Sequence, residues 1–194
     1  MIIGIKEKGK VTLAYSLVDE FPTVNIGDMF NEANVGVWKV NRNPRTIMGC
    51  AYPSAETDFY RYADKLFAGK IDCDVLHREV LPAMEELTKG KNYIGDGKGH
   101  YDNLLIAQDD RLYRITHEHL VFEIDDYVVG GGYGDDVAKA VLHETRGEQA
   151  LDRIRKAFEF VAIERQSDCY PIAVMDTATR KLRLLHKNKS ARRI

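Results

Sequence analysis

The chain has 194 residues, which is enough for one well-packed domain and marginal for two. Its formal net charge is -2, with 30% charged residues of both signs, so it lacks the strong positive field of a general nucleic-acid or anionic-membrane binder. No apolar run approaches about 18 residues, and we therefore expect neither a secretory signal nor a membrane-spanning helix.

The number and spacing of the cysteines limit the kinds of site that the chain can contain. Cys50, Cys73 and Cys169 form an odd set without a CxxC pair, which argues against a disulfide framework and against a cysteine-rich zinc site. We expect a reducing, cytoplasmic setting, with no cofactor and no metal.

The chain opens with a predicted β-hairpin over residues 2–16. Apolar residues at positions 2, 3 and 5 and at positions 11, 13 and 14 flank a turn at Gly9, which can supply positive φ. Residues 17–34 carry Pro22 and Gly27 among scattered apolar residues, which predicts an irregular segment over the surface or the site. The pattern does not indicate the role of this segment.

Two strands and two helices follow. Valines and Trp38 predict a strand over residues 35–40, and a second strand begins at Thr46 and ends at residues 49–51. Ser54 is a suitable N-cap for a helix that ends at Gly69. The next helix is expected from Asp72, its N-cap, to residue 89, with a kink at Pro82.

The middle of the chain, residues 103–129, predicts three neighbouring antiparallel strands, the third over residues 121–129. A glycine-rich loop at residues 130–134 then opens a helix near Asp135, which Gly147 ends. A last helix over residues 148–165 and a hairpin over residues 171–185 complete the pattern.

The order of elements indicates the architecture. Two helix pairs alternate with strand sets, and each amphipathic helix needs a sheet on which to bury its apolar stripe. We therefore predict an α+β, four-layer α-β-β-α sandwich, with two antiparallel sheets between helix pairs. Residues 1–186 would form a single domain, followed by a basic tail over residues 187–194.

This order resembles the proteasome β-subunit and HslV family of N-terminal-nucleophile hydrolases. The resemblance covers nearly the whole chain, and its best carriers are the opening hairpin, the strand end at residues 46–51 before a helix, and residues 104–132. It implies a catalytic threonine at the mature N-terminus whose hydroxyl attacks a peptide carbonyl, with its own α-amine as base. Met1 falls where the family has its second residue, and we therefore expect that no nucleophile precedes it.

Most other site positions that the resemblance implies depart from the family. Ser16 stands where the family has an acidic residue, and the buried-lysine slot falls between Glu32 and Val35. Lys39 is the nearest lysine, at a strand position predicted to point away. By contrast, Gly49 matches the glycine whose backbone N–H helps to bind the oxyanion.

Two further positions match in part. Gly131 replaces a serine in the family's Gly-Ser-Gly loop, and Asp168 could match the aspartate after the last helix, although Gln166 competes for that alignment. The shape-giving glycines therefore remain, while most of the catalytic groups are lost.

Several features have a functional and a structural interpretation. The glycine-rich loop could cradle an anion, but Asp135 and Asp136 would repel a phosphate and favour a tight turn. His117 and His119 have metal-site spacing without a clear third ligand, which favours a solvated turn. Cys50 could act as a nucleophile or be a buried small side chain. The basic tail could bind nucleic acid or an acidic partner, or be a mobile terminus, which is the default.

These patterns lead to two functional hypotheses. The first is a proteasome-like subunit that has lost peptidase activity and acts by self-assembly or binding, as a homo-oligomer in which a ring is possible. The second is an active hydrolase, either a threonine peptidase with a misassigned start or an enzyme that uses Cys50. A protein partner is possible, whereas nucleic acid and membrane are not expected.

Overall fold

Two five-stranded antiparallel sheets form the middle of the protein. The computed structural model describes residues 1–17, 36–50, 57–88, 104–116, 118–131, 134–166 and 168–187. The first sheet has the strand order β10-β9-β2-β1-β8 and the second the order β3-β4-β5-β6-β7. The strands are β1 (Ile2–Glu7), β2 (Lys10–Ser16), β3 (Val37–Lys39), β4 (Thr46–Cys50), β5 (Leu104–Gln108), β6 (Arg111–Ile115), β7 (Val121–Ile124), β8 (Tyr127–Gly130), β9 (Ile172–Asp176) and β10 (Arg183–Leu185).

Helices cover the outer face of each sheet. They are α1 (Thr57–Leu66), α2 (Cys73–Val75), α3 (Leu81–Thr88), α4 (Asp135–Glu144) and α5 (Ala150–Glu164), with a π-helical segment (Leu76–Val80) between α2 and α3. One apolar cluster joins the second sheet to α1, α3 and the π-helical segment, and another joins the first sheet to α4 and α5. A third fills the space between the sheets. This arrangement confirms the predicted four-layer sandwich.

The second helix contains the interruption expected from its proline. Asp72 caps the helix, because its carboxylate accepts a hydrogen bond of 3.0 Å from the Val75 backbone N–H. Pro82 has no N–H to donate to the carbonyl four residues earlier. Immediately before it the backbone widens into the π-helical segment, in which the Leu81 N–H donates to the Leu76 carbonyl. The predicted N-cap at Ser54 lies outside the described residues.

The predicted third strand of residues 121–129 is wrong. It is two strands in different sheets: β7 pairs with β6, whereas β8 pairs with β1, where Ile2 lies opposite Gly130. The acidic pair Asp125 and Asp126 separates them, and the Asp126 carbonyl accepts a 2.7 Å hydrogen bond from the Lys6 N–H. This two-residue break lets the chain cross between the sheets, so residues 103–129 do not form one set of neighbouring strands.

The opening and closing hairpins agree with the sequence. Gly9 has a φ of 81° in the turn between β1 and β2. Strand β9 pairs with both β10 and β2. The last helix begins slightly later than expected, at Ala150, and its backbone N–H donates 2.8 Å to the Glu7 carboxylate. Strand β1 is an internal strand of the first sheet, between the central strand β2 and the edge strand β8.

Candidate functional site

The start of β1 lies inside the protein, beside the end of β2. The Met1 side chain is 1% exposed and packs among the apolar residues beneath α4 and α5. Its carbonyl accepts a 3.2 Å hydrogen bond from the Ser16 N–H. Successive strand residues point to opposite faces, so Ile2 faces the space between the sheets.

Ser16 is fully buried next to this strand start. Its hydroxyl donates a 3.0 Å hydrogen bond to the Cys169 carbonyl. An ionised carboxylate in the same place would meet a carbonyl oxygen and would also lose its hydration. The surroundings of Ser16 are therefore suited to a neutral hydroxyl donor.

Gly49 lies directly against the start of β1. A Cβ atom at this position would be 2.7 Å from Ile2 Cδ1 and 2.9 Å from the Gly36 carbonyl oxygen. Such distances are too short for any side chain, so the backbone at Gly49 approaches β1 and residue 36 as only glycine allows. On the side where a Cβ would point, the neighbour from β1 is the apolar side chain of Ile2.

Strand β3 adds a second apolar side chain at the same place. Val37 pairs with Gly49, and its Cγ1 would lie 3.0 Å from a Cβ there. The preceding Gly36 has a φ of 66° and lies on the ring of Tyr15, with 2.3 Å between a hypothetical Cβ and the ring. The sequence predicted a strand that contains Val37 but gave neither Gly36 nor Val37 a role at the site. The one available signal was a glycine directly before a strand.

Cys50 points away from Gly49. Its side chain is fully buried in the cluster between the second sheet and its helices, whereas Gly49 faces Ile2 in the space between the sheets. The Cys50 backbone N–H donates 2.9 Å to the Gly36 carbonyl. Neighbouring residues of an extended strand face opposite sides, which separates the thiol from the covered glycine.

The glycine-rich loop leaves β8 and leads into α4. Gly131 has a φ of 68° and Gly134 a φ of 112°, and both values belong to the left-handed region that glycine favours. Asp135 follows in the first turn of α4, and one of its carboxylate oxygens is buried without a hydrogen-bond donor among the described residues. Burial raises the pKa of this carboxyl, while the charges of Lys139 and of the chain's α-amino group lower it. Residues 132–133 of the loop lie outside the described part.

Asp168 is exposed, and its carboxylate has local partners. One oxygen accepts a 3.2 Å hydrogen bond from the Tyr170 N–H, and the other lies 3.4 Å from Lys187 Nζ. The next residue, Cys169, supplies the carbonyl that binds Ser16. The structure thus brings the backbone of this segment to the start of β1, while the Asp168 side chain contacts its own loop and the C-terminal segment.

The remaining candidates lie elsewhere. Lys39 lies near the open edge of the second sheet, on β3, and lines a groove described below. His119 Nδ1 is 2.6 Å from Glu85 Oε1, and His117 is outside the described residues. Within the described ranges, no group of three histidine, cysteine or acidic side chains could hold a metal ion. None of the helices in those ranges is long and apolar enough to cross a membrane.

Comparison with solved structures identifies the architecture. HslV from Trypanosoma brucei aligns over 90% of this chain and 97% of its own, with 15% identity and a TM-score of 0.57. Anbu, an ancestral β-subunit from Yersinia bercovieri, aligns over 96% of this chain and 87% of its own, with 10% identity and a TM-score of 0.62.

A third similar structure is BPH from Thiobacillus denitrificans, with 12% identity and a TM-score of 0.58 over 90% of this chain and 96% of that chain. BPH has also been solved in complex with epoxomicin. No family model and no curated protein sequence matches the chain. The similarity in structure over nearly whole chains confirms the resemblance seen in the sequence: the fold is that of the proteasome-type N-terminal-nucleophile hydrolases.

Proposed function

We propose that this protein is a proteasome-like subunit that has lost peptidase activity and acts by self-assembly or by binding a protein partner. The observation that carries the proposal is the apolar cover over Gly49. Ile2 Cδ1 and Val37 Cγ1 would lie 2.7 Å and 3.0 Å from a Cβ at Gly49, so hydrocarbon side chains pack against the backbone to which the resemblance assigns oxyanion binding. Hydrocarbon side chains can neither attack a carbonyl nor hold a proton.

The surroundings of Ser16 support the same proposal. A neutral, buried hydroxyl donates to the Cys169 carbonyl at the position where the family has an acidic residue. It carries no charge with which to orient or stabilise a protonated amine. A single domain over residues 1–186 in a reducing, cytoplasmic setting completes the proposal, and the three cysteines, none of them in a disulfide, are compatible with that setting.

The rival function is an active hydrolase. A threonine preceding residue 1 in a longer chain would share the strand face of Ile2, because residues two apart on a strand point the same way. That threonine would face the space between the sheets, so the geometry is compatible with an active threonine hydrolase. A thiol enzyme that uses Cys50 has less support, since this side chain is enclosed by apolar residues.

A covalent probe separates the two functions. The protein should be incubated with epoxomicin and its intact mass measured, with BPH from Thiobacillus denitrificans as the positive control. We expect no adduct on this protein. A stoichiometric epoxomicin adduct, mapped to the first residue of the native chain, would overturn the proposal in favour of an active threonine hydrolase.

Thiol labelling tests the second form of the rival. With iodoacetamide under native conditions we expect modification of half-buried Cys73 and none of Cys50, which is fully buried. The Cys73→Ser variant should therefore remain unlabelled until it is unfolded. Rapid native labelling of Cys73→Ser that is lost in Cys73→Ser/Cys50→Ser would identify Cys50 as reactive and would contradict the proposal.

Self-assembly is supported by exposed apolar side chains on α5. Phe160 is 55% exposed and Ile163 is 72% exposed, and residues three apart lie on one helix face. A second apolar pair, Leu120 and Phe122, is 50% and 47% exposed beside the edge strand β7. The α5 pair is the better candidate. A helix face can be buried without bringing unpaired backbone hydrogen-bonding groups into the contact, whereas the edge strand β7 carries such groups.

Sedimentation velocity of the full chain at micromolar concentration tests assembly. We expect an oligomer for the wild type and a monomer for Phe160→Glu/Ile163→Glu, since two charges on an apolar contact oppose association. The matched control Leu120→Glu/Phe122→Glu should remain oligomeric. A monomeric wild type would remove self-assembly, and dissociation of the control alone would reject α5 as the contact.

A further inference from the structure

A groove of about 370 Å³ lies between β3, at the edge of the second sheet, and the turn that joins β9 to β10. Its floor is apolar. Val37 and Met175 are almost fully buried and belong to the core between the sheets, whereas Leu182 at the rim is 37% exposed. Trp38 also lines the groove and is the only tryptophan of the chain.

The rim of the groove is cationic. Lys39 contributes from β3, and Arg180 and Lys181 contribute from the turn on the opposite side. Arg180 also connects the two walls, because its Nη2 donates a hydrogen bond to the Val40 carbonyl. Its Nε is buried and has no acceptor among the described residues.

The turn holds Arg180 in an unusual backbone conformation. Its φ is 53°, in the left-handed region that non-glycine residues seldom adopt. Two hydrogen bonds hold it there: the Arg180 N–H donates 2.8 Å to the Asp176 carbonyl, and the Thr179 N–H donates 2.7 Å to the Asp176 carboxylate. The guanidinium is thereby directed toward β3 by a well-braced turn.

No carboxylate of the described residues forms an ion pair with Arg180 or Lys181. The nearby acids are engaged elsewhere, since Asp176 accepts from Thr179 and Asp64 accepts from the backbone N–H groups of residues 41 and 42. Burial lowers the pKa of Arg180, and the more distant charge of Asp64 opposes that effect. A partly desolvated cation without a counter-ion favours an anion in its vicinity.

We propose that this groove binds a small carboxylate that carries a short apolar chain. The carboxylate lies against Arg180 and Lys181, and the chain lies over Val37, Met175 and Leu182. A guanidinium matches the planar geometry of a carboxylate, and the groove volume falls in the range of roughly 300–1,000 Å³ typical of small-molecule sites. The site is independent of the question of peptidase activity.

Competing anions fit less well. Inorganic phosphate would satisfy the cations but would leave the apolar floor uncovered. A long acidic segment would extend beyond a groove of about 370 Å³. The combination of an apolar floor with a cationic rim is what selects an amphipathic monocarboxylate.

Hexanoate is the probe for the experiment, and the fluorescence of Trp38 is the readout, with isothermal calorimetry as a second measurement. We expect saturable binding of hexanoate to the full chain. Hexanamide, which lacks the charge, and acetate, which lacks the chain, should each bind about tenfold more weakly or worse. Equal binding of hexanamide, or phosphate binding as tightly as hexanoate, would overturn the proposal.

Three substitutions locate the site. Arg180→Gln should weaken hexanoate binding by about tenfold and Lys181→Gln by about threefold, because a charge-assisted hydrogen bond is stronger than a solvent-exposed charge contact. The matched control is Arg183→Gln, which removes an exposed arginine of β10 that does not line the groove. It should bind as the wild type does.

Arg180 also braces Val40, so the thermal unfolding of Arg180→Gln must be measured alongside binding. If that variant fails to fold, Leu182→Asp provides the second test, because it places a negative charge on the exposed rim. We expect it to abolish hexanoate binding while the protein stays folded. Wild-type affinity in Leu182→Asp, or in both Arg180→Gln and Lys181→Gln, would reject the groove as the binding site.

Discussion

The start of β1 and the groove beside β3 are neighbouring regions with opposite character. At the start of β1, Gly49 is covered by Ile2 and Val37, and the buried Ser16 hydroxyl has a carbonyl acceptor. In the groove, Arg180 is partly buried without a carboxylate partner in the described part of the chain. The side chains that contact Gly49 are hydrocarbon, whereas a cation without a carboxylate in ion-pair contact among the described residues lies in the groove.

The difference shows that the backbone geometry of a site can be present without polar side chains around it. The close backbone approach at Gly49 is what the fold requires, and it persists with hydrocarbon side chains around it. A partly buried cation without a carboxylate in ion-pair contact is costly for stability, so Arg180 is a better indicator of a binding site than Gly49 is. Two predictions test whether the start of β1 is as closely adapted to neutral groups as the contacts indicate.

The largest effect is expected for Ser16→Asp. The new carboxylate would be buried against the Cys169 carbonyl, and an uncompensated buried charge should cost about 3–5 kcal/mol in the free energy of unfolding at pH 7. Burial raises the pKa of such a carboxyl in the folded state. The folded state then binds the proton more tightly, so the stability deficit should grow as pH rises above about 4 and shrink below it.

Ser16→Asn is the matched control, because it has a similar size and no charge. Denaturant unfolding of both variants between pH 4 and pH 8 measures the difference. The gap between them should widen with pH. A Ser16→Asp variant as stable as Ser16→Asn at pH 7 would show that the site can hold a carboxylate, and the comparison between the two regions would then fail.

A smaller effect is expected for Gly49→Ala. The added Cβ would lie 2.7 Å from Ile2 Cδ1 and 2.9 Å from the Gly36 carbonyl. Overpacking of this kind costs about 1–3 kcal/mol. The control Gly69→Ala has no atom within 4 Å of its new Cβ, and its free energy of unfolding should change by about 0.5 kcal/mol or less.

The double variant Ile2→Val/Gly49→Ala sharpens the prediction, since valine lacks the Cδ1 atom that the new Cβ meets. We expect it to lose less stability than the sum of the two single variants, and a double-mutant cycle measures that coupling. Strict additivity would mean that Ile2 does not contact Gly49 closely, and the proposed loss of peptidase activity would lose its main support.

Much of the fold was predictable from local patterns. Apolar runs on both sides of turn residues identified both hairpins, helical periodicity identified the amphipathic helices, and Asp72 identified a cap. The alternation of strand sets with helix pairs was sufficient for the four layers, because each apolar face needs a partner layer. At the site, the structure leaves no room for a side chain at Gly49, and the oxyanion role that the resemblance implies for it stays a prediction.

Other features depended on partners far away in the chain. A period-2 pattern states which face of a strand is buried but not which strand lies beside it, so it could not place β8 next to β1 rather than β7. The cover of Ile2 and Val37 over Gly49, and the cationic groove between β3 and the turn after β9, join segments separated by long stretches of chain. The sequence by itself determined the elements and their buried faces, because those follow from local periodicity and turn chemistry. Only the tertiary structure decided which side chains meet at the start of β1 and in the groove, because long-range register sets those contacts.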